Sequence, residues 1–280
     1  MILVTGATGN VGSQVVQQLL DQGKKVRVYA RDAAKVARWG NTVDVTVGDF
    51  ADRSAFAAAV SGVEAIFLMN VTTDLEVFRQ LVATAKENGK PRLVFLSSVA
   101  VSNPDSPIGQ MHKAKEDVLQ ASGLPVAVVR AGGFMSNALQ WIGSIRGEGV
   151  VYNGMGDGPF APIDPADIAA VAVHALTAPS LTESLYEVTG GELVPVPEQV
   201  RILGKVLGKP LKTVDVPPEA AAQSLARNGL PPQLIAGLRR SMEDVRAGRA
   251  SLLTDTVRRI TRRPPRTFQQ WAQEHASRFA

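Results

Sequence analysis

Three glycines spaced three apart, Gly6, Gly9 and Gly12, separate an apolar run, Ile2 to Thr5, from a segment whose Val11, Val15, Val16, Leu19 and Leu20 share one helical stripe. Glycine at a tight turn reaches backbone angles closed to other residues, and a bare backbone lets an anion approach. The third glycine lets helix and strand pack closely. A helix starting there offers N–H donors and its positive dipole end to phosphate. The chemistry implied is binding of a dinucleotide pyrophosphate by Gly6, Thr8, Gly9, Asn10, Val11 and Gly12. A ligand-free glycine turn is the plain alternative, and the register of strand, glycines and helix argues against it.

The second apolar run ends in Tyr29-Ala30-Arg31-Asp32. An acid here bonds a ribose hydroxyl and favours NAD, and Asp32 stands about 20 residues past Gly12, the expected offset. Asp32 also opens a helical pattern as a natural cap, while Arg31, with Lys35 one turn on, suits a 2′-phosphate. The expected cofactor is NADP, with NAD as the other possibility.

The elements that must position these residues alternate along the first half of the chain. Ile2 to Thr5, Val26 to Ala30, Val43 to Val47, Ala65 to Met69, Arg92 to Leu96 and Val126 to Arg130 read as strands separated by helical patterns. Helices over Leu75 to Asn88 and His112 to Ser122 stop at Gly89 and Gly123. This order predicts an α/β fold with a doubly wound parallel sheet, whose crevice lies beyond the strands' carboxyl ends. After Arg130 glycines multiply, from Gly132 to Gly158, as in loops that cover a site. Asp164, Pro165 and Asp167 open a further helix, Leu185 to Val188 reads as one more strand, and prolines from Pro195 to Pro232 break the rest into short helical pieces. The expected division is a nucleotide domain over 1–150 continued by 164–190, a covering loop over 150–163, and a small, mostly helical C-terminal lobe over 191–280.

Composition narrows the class. Of 280 residues 45% are hydrophobic, and a chain this long buries about three quarters of its unfolded surface. The absence of cysteine excludes disulfides and thiolate-bound zinc, and His112, His174 and His275 are too scattered for a local metal motif, so no metal is expected. No apolar run approaches the roughly 20 residues that span a bilayer, and the amino terminus lacks signal-peptide order. A cytoplasmic protein without a membrane partner is expected. The net charge is +4, and between Arg227 and Arg266 stand Arg239, Arg240, Arg246, Arg249, Arg258, Arg259, Arg262 and Arg263 against only Glu243, Asp244 and Asp255. With no aromatic residues interleaved as stacking platforms, this reads as a solvated helical face, and no nucleic-acid partner is expected.

Thr5-Gly6-Ala7-Thr8-Gly9-Asn10-Val11-Gly12 departs from Gly-x-Gly-x-x-Gly spacing and resembles the cofactor loop of atypical short-chain dehydrogenases, in particular the NmrA-like group. The likeness takes in Gly48-Asp49-Phe50, Glu116 with Ser122-Gly123-Leu124-Pro125 before Arg130, Asp167-Ile168-Ala169, and the ending Pro264-Pro265-Arg266-Thr267-Phe268 with Trp271-Ala272. It implies a Rossmann sheet with adenine at Asp49 and Phe50, ribose and pyrophosphate near Asn70, Val71 and Thr72, and nicotinamide over Ser97 and Ser98. Gly132, Gly133 and Phe134, after the sixth strand, are counted with the cofactor residues.

Short-chain dehydrogenases usually pair a tyrosine with a lysine four residues later, which lowers the phenol's pKa. Here Tyr29, Tyr152 and Tyr186 are followed at that distance by Ala33, Gly156 and Gly190, and alignment on Glu116 puts Ile108 and His112 in the two places. His112 is then the candidate proton donor and Lys113 the second; alternatively His112 is a helix-start residue bonded to ribose or solvent. An acceptor that needs little acid help, a quinone or azo compound, fits this loss, and the family contains reductases similar to both. Met135, Tyr152, Met155 and Phe160 are the candidates to line an apolar site for such a flat aromatic substrate. No flavin motif is evident, so hydride is expected to pass directly from the nicotinamide. A redox sensor that binds the dinucleotide and regulates a partner, a carbonyl reductase and an isomerase are the alternatives.

Overall fold

The computed structural model describes residues 1–69, 72–226 and 232–280, so Asn70, Val71, Arg227 and Pro231 lie outside the described residues. Two compact units share the chain: 1–98 with 111–131 and 165–187, and 99–110 with 132–164 and 188–280.

The first unit is built on strands β1 (Ile2–Thr5), β2 (Val26–Ala30), β3 (Asp44–Val47), β4 (Ala65–Leu68), β5 (Arg92–Ser98) and β6 (Val126–Ala131); β7 (Val150–Asn153) belongs to the second unit, and β8 (Leu185–Val188) completes the sheet. The order is β3-β2-β1-β4-β5-β6-β8. β1 pairs in parallel with β2 on one side and β4 on the other, so the winding reverses between β1 and β4 and opens a crevice at their carboxyl ends. β1 and β4 are buried throughout, which is why they read as unbroken apolar runs, whereas edge strand β3 leaves Val45 and Val47 exposed.

The crossovers are α1 (Asn10–Asp21), α2 (Arg53–Val60), α3 (Leu75–Glu87) and α4 (Pro107–Ala121); after α5 (Ile142–Glu148) of the second unit comes α6 (Pro165–Thr177), which packs on α1. Beneath α2, α3 and α4 lies a core of Leu3, Phe56, Ile66, Phe78, Leu81, Phe95 and Leu119. α4 starts five residues before the predicted His112. Ser106 accepts from Gly109 N at 3.1 Å and Pro107 takes the first helical position, a capping signal that the sequence carries.

In the second unit β7 pairs in parallel with β9 (Lys212–Asp215), a small sheet that the sequence reading did not foresee because Pro210 and Pro217 bracket so short a run. Around it stand α7 (Val196–Leu207), α8 (Pro218–Ala226), α9 (Pro232–Arg246), α10 (Thr256–Thr261) and α11 (Phe268–His275). Val151, Val200, Leu203, Phe268, Trp271 and Phe279 form its core. The change-overs fall at 132 and 188 rather than 150 and 190, and 99–110 goes with this unit. Close packing explains the last point: a Cβ on Gly237 of α9 would lie 2.6 Å from Ile108 Cγ1.

Several arginines of the tail are ion-paired. Arg239 meets Glu219 and Glu243, Arg240 meets Asp105 and Asp244, Arg246 meets Asp215, and Arg266 meets Asp164 and Glu274. Several of these acids come from distant sequence, which a count over the tail alone misses. Among the described residues no helix is long and apolar enough to cross a membrane, and no acid or histidine group is arranged to hold a metal ion.

Candidate active site

The glycine loop follows directly from the burial of β1. Gly6 leaves the strand at φ +63°, where a side chain is strained and a Cβ would lie 2.5 Å from Met69 Cγ. Gly9 N donates to Gly6 O at 2.9 Å, closing the turn, and α1 begins after Gly9 without a side-chain cap or an acid in its first turn. A Cβ on Gly12 would lie 2.7 Å from the Gly6 carbonyl carbon, so only glycine permits this approach of helix to turn. Gly9 meets only Gly6 O, at 3.3 Å, and Thr8 is exposed; Val11 is buried and contributes backbone alone. The result is a bare cradle at a positive helix end.

At the end of β2, Asp32 accepts from Ala34 N at 2.9 Å and so caps the following 3-10 turn. Arg31 and Lys35 are exposed. Arg38, which sequence reasoning missed, joins them: its guanidinium sits 4.1 Å over the Trp39 ring and 3.5 Å from the Ala7 carbonyl in the glycine loop. Its spacing of three from Lys35 on a helical turn was the available signal. Beyond β3, Tyr29 Oη donates to Asp49 O at 2.8 Å, and the half-buried Phe50 ring stands edge-on to Tyr29 with centroids 5.2 Å apart. Burial, then the Asp52 and Asp49 charges, push the Tyr29 phenol up to about 12, so it serves as a hydrogen-bond donor only.

At the end of β5, Ser97 donates to Glu116 Oε1 at 2.6 Å, and Arg130 grips both oxygens of that carboxylate, Nε at 3.0 Å and Nη2 at 2.6 Å. Bonding to Glu116 holds the guanidinium firmly charged. Ser98 is half-buried beside this network. His112 sits one turn before Glu116, 8% exposed, its ring 6.0 Å from Phe95 and its Nδ1 buried without a partner. Burial first, then the charge of Lys115, pulls it down to about 4 against a smaller opposing effect of Glu116, so it is neutral at neutral pH. Lys113 points outward and pairs with Asp117. The structure thus brings Ser97, His112 and Glu116 to one face of α4 and leaves Lys113 off it. Lys115, also missed, is on that inner face, and burial lowers its ammonium to about 8.

In the second unit Gly133 and Phe160 are neighbours: a Cβ on Gly133 would lie 3.4 Å from the Phe160 ring, and Phe134 bridges Ile163 in parallel. Gly132 N donates to Val188 O at 2.9 Å. Met135 is core, with Met155 and Phe160 packed against that core and partly open. Tyr152 is not among them: it is 48% exposed on β7 and donates to Glu148 at 2.7 Å. A hollow of about 460 Å³ at the amino ends of the first unit's strands, lined by Met1, Lys24, Lys25, Lys90 and Arg92, contains none of the expected residues.

Residues 1–246 match the model of the NmrA-like family. The chain belongs to this family. Among its relatives, (4-alkanoyl-5-oxo-2,5-dihydrofuran-3-yl)methyl phosphate reductase of Streptomyces griseus is 39% identical over 100% of this chain and 99% of that protein. NAD(P)H azoreductase of Xenophilus azovorans is 34% identical, covering 100% and 99%. A crystal structure of NADPH-dependent quinone oxidoreductase from Escherichia coli, complexed with NADPH, superposes with a TM-score of 0.84 at 25% identity, over 98% of this NmrA-like chain and 99% of that one.

Proposed function

We propose that this NAD(P)H-dependent oxidoreductase uses NADPH to reduce a flat, conjugated, electron-poor acceptor, a quinone or azo compound foremost. The cradle fits the cofactor: Gly6 and Gly12 exclude side chains where the loop closes, and α1 presents an uncapped amino end for pyrophosphate. Arg31, Lys35 and Arg38 supply three cations for a 2′-phosphate, while the Asp32 carboxylate is occupied as a cap. The half-buried Phe50 offers a ring for adenine. When bound, the cofactor supplies a hydride from its nicotinamide.

The observation that carries the acceptor class is the commitment of the polar groups on the inner face of α4. Ser97 commits its hydrogen bond to Glu116, Glu116 is clamped by Arg130, and His112 is neutral. Lys115, the remaining cation of that face, donates to the Thr72 carbonyl, so among the described residues of this face no acid is directed at an alkoxide, and the reading selects acceptors whose reduction leaves a delocalised anion. Hydride adds at one end of the conjugated system, the π electrons move to the far end, and water protonates the resulting phenolate, hydrazide or enolate. His112 and Ser97 act as orienting groups in this reading rather than as acids. Met155 and Phe160, packed against the second unit's core and partly open, are the candidates kept for the acceptor's apolar lining. The unsaturated lactone ring named for the Streptomyces griseus relative belongs to the same electronic class, with a ring double bond conjugated to two carbonyls.

NADPH oxidation measured with naphthoquinone, an azo dye, an unsaturated lactone and a simple ketone tests this. Turnover with one or more of the first three and none with the ketone is expected; ketone reduction alone overturns the acceptor class.

A further inference from the structure

The inner face of α4 places a lysine in the interior of the first unit. Lys115 is 1% exposed, its ammonium donates to the Thr72 carbonyl, and it lies 5.6 Å from the centre of the Phe78 ring. Burying an ammonium is costly, and methionine of similar length would fill the space without that cost. What the charge reaches explains the choice. Thr72 Oγ1 accepts from Asp74 N at 3.0 Å, and Asp74 caps α3 by accepting from Glu76 N at 2.8 Å and Val77 N at 3.3 Å. On the other side of the same connection, Met69 N donates to Thr5 Oγ1 at 2.9 Å, and the Met69 side chain fills the space beneath Gly6. The chain leaving β4 is therefore tied at Met69 by a side chain from β1 and at Thr72 by a side chain from α4. Both ties lie at the carboxyl end of the sheet, where the glycine loop also opens.

We propose that Lys115 is a positioning residue for the nucleotide: by holding the Thr72 carbonyl, it fixes the entry turn of α3 at the carboxyl end of the sheet, where the glycine loop opens. The inference rests on the reading of Gly6 to Gly12 as the cofactor cradle. Lys115 acts through backbone and not on the reacting atoms, since its ammonium is directed at a carbonyl.

Two variants test it, Lys115→Met and Lys115→Gln, the latter polar but one bond too short to reach Thr72. For each, NADPH affinity is titrated by fluorescence, amide hydrogen exchange is followed at residues 74–77, and the thermal midpoint is recorded. Loss of one fixed contact is expected to raise Kd about tenfold in both. Exchange at Glu76 and Val77 is expected to quicken, while kcat at saturating NADPH changes by less than about threefold and the Met variant melts no lower than wild type. A folded variant with the wild-type Kd overturns the proposal, as does a weakened Kd that merely accompanies a lowered midpoint. If Lys115→Met does not fold, Lys115→Gln carries the same test. Wild type that binds no NADPH overturns the cradle reading itself, and is told apart because it needs no variant.

Discussion

The segments 6–12 and 132–160 are both rich in glycine, and they use it differently. In the first, the glycines are demanded by backbone contact: Gly6 turns at φ +63° against Met69, and Gly12 leaves no room for a Cβ beside the Gly6 carbonyl. In the second the uses are mixed: Gly143 and Gly147 face open space, Gly149 ends α5 in the left-handed conformation, and only Gly158, which leaves no room for a Cβ beside the Val245 carbonyl, and Gly154, crowded by Ala221 and Met242, are held to glycine by packing. The side chains between them diverge, Met135 into the core and Tyr152 to solvent. A site made of backbone is written in spacing. A site made of side chains depends on which face each residue takes, and that is decided by the fold.

The contrast can be broken or sharpened by substitution. The largest effect is expected at the network that anchors the end of β5. Glu116→Ala leaves half-buried Arg130 with only the longer Glu187 contact, at 3.7 Å, and Ser97 without its acceptor, and should cost about 3 kcal/mol of stability in urea unfolding, whereas Tyr152→Phe on exposed β7 should cost less than about 0.5 kcal/mol. Equal costs would mean that the two regions do not differ in how they are built.

Next comes the loop itself. Gly9→Val, with an unchanged circular dichroism spectrum, should weaken NADPH binding about a hundredfold, close to 2.7 kcal/mol, by placing bulk where pyrophosphate approaches. Gly143→Val, on open α5, should leave that affinity alone. Unchanged binding by the Gly9 variant would remove the cradle from the account.

His112 sets an acid limb on stability. Its pKa is about 4 in the folded chain against 6.5 when exposed, so between these values the unfolded chain binds the extra proton. Its contribution is complete above pH 6.5 and is lost as pH falls toward 4, by about 3 kcal/mol in all. Urea midpoints from pH 7 to pH 4 should fall less steeply in His112→Gln than in wild type. The acceptor reading adds that His112→Ala lowers kcat by less than about a hundredfold, the usual contribution of a positioned acid; complete loss of turnover with NADPH binding intact would make the imidazole an obligatory donor.

A smaller, selective effect is expected at the end of β2. Arg31→Ala and Arg38→Ala should each weaken NADPH about tenfold or more, the worth of a charge-assisted contact, with NADH affinity unchanged. Equal losses for both nucleotides would return the choice of cofactor to Asp32.

Much of the first unit was legible because its strands are buried on both faces and its helices carry one stripe. β1, β2 and β8 match their predicted limits, and Asp32 caps as its position before a helical pattern implied. What was not legible depended on long-range packing. The lysine turned inward on α4 is Lys115 and not Lys113, because the face turned to the sheet follows from where α4 begins, at Pro107. Arg38 was hidden since only the folded loop brings Ala7 to it. The β7–β9 pair joins runs some sixty residues apart that neither sequence marks as partners.

The central claim is that hydride passes from NADPH held on the glycine loop straight to a conjugated acceptor, with the proton taken from water. Its most direct test uses NADPH carrying deuterium at the transferable position of the nicotinamide, an unsaturated lactone conjugated to a second carbonyl, and ordinary water. The account predicts product with deuterium on the β-carbon and a solvent proton on the α-carbon. Product without deuterium, or tight NADPH binding with no reduction of lactone, quinone or azo dye, would contradict it.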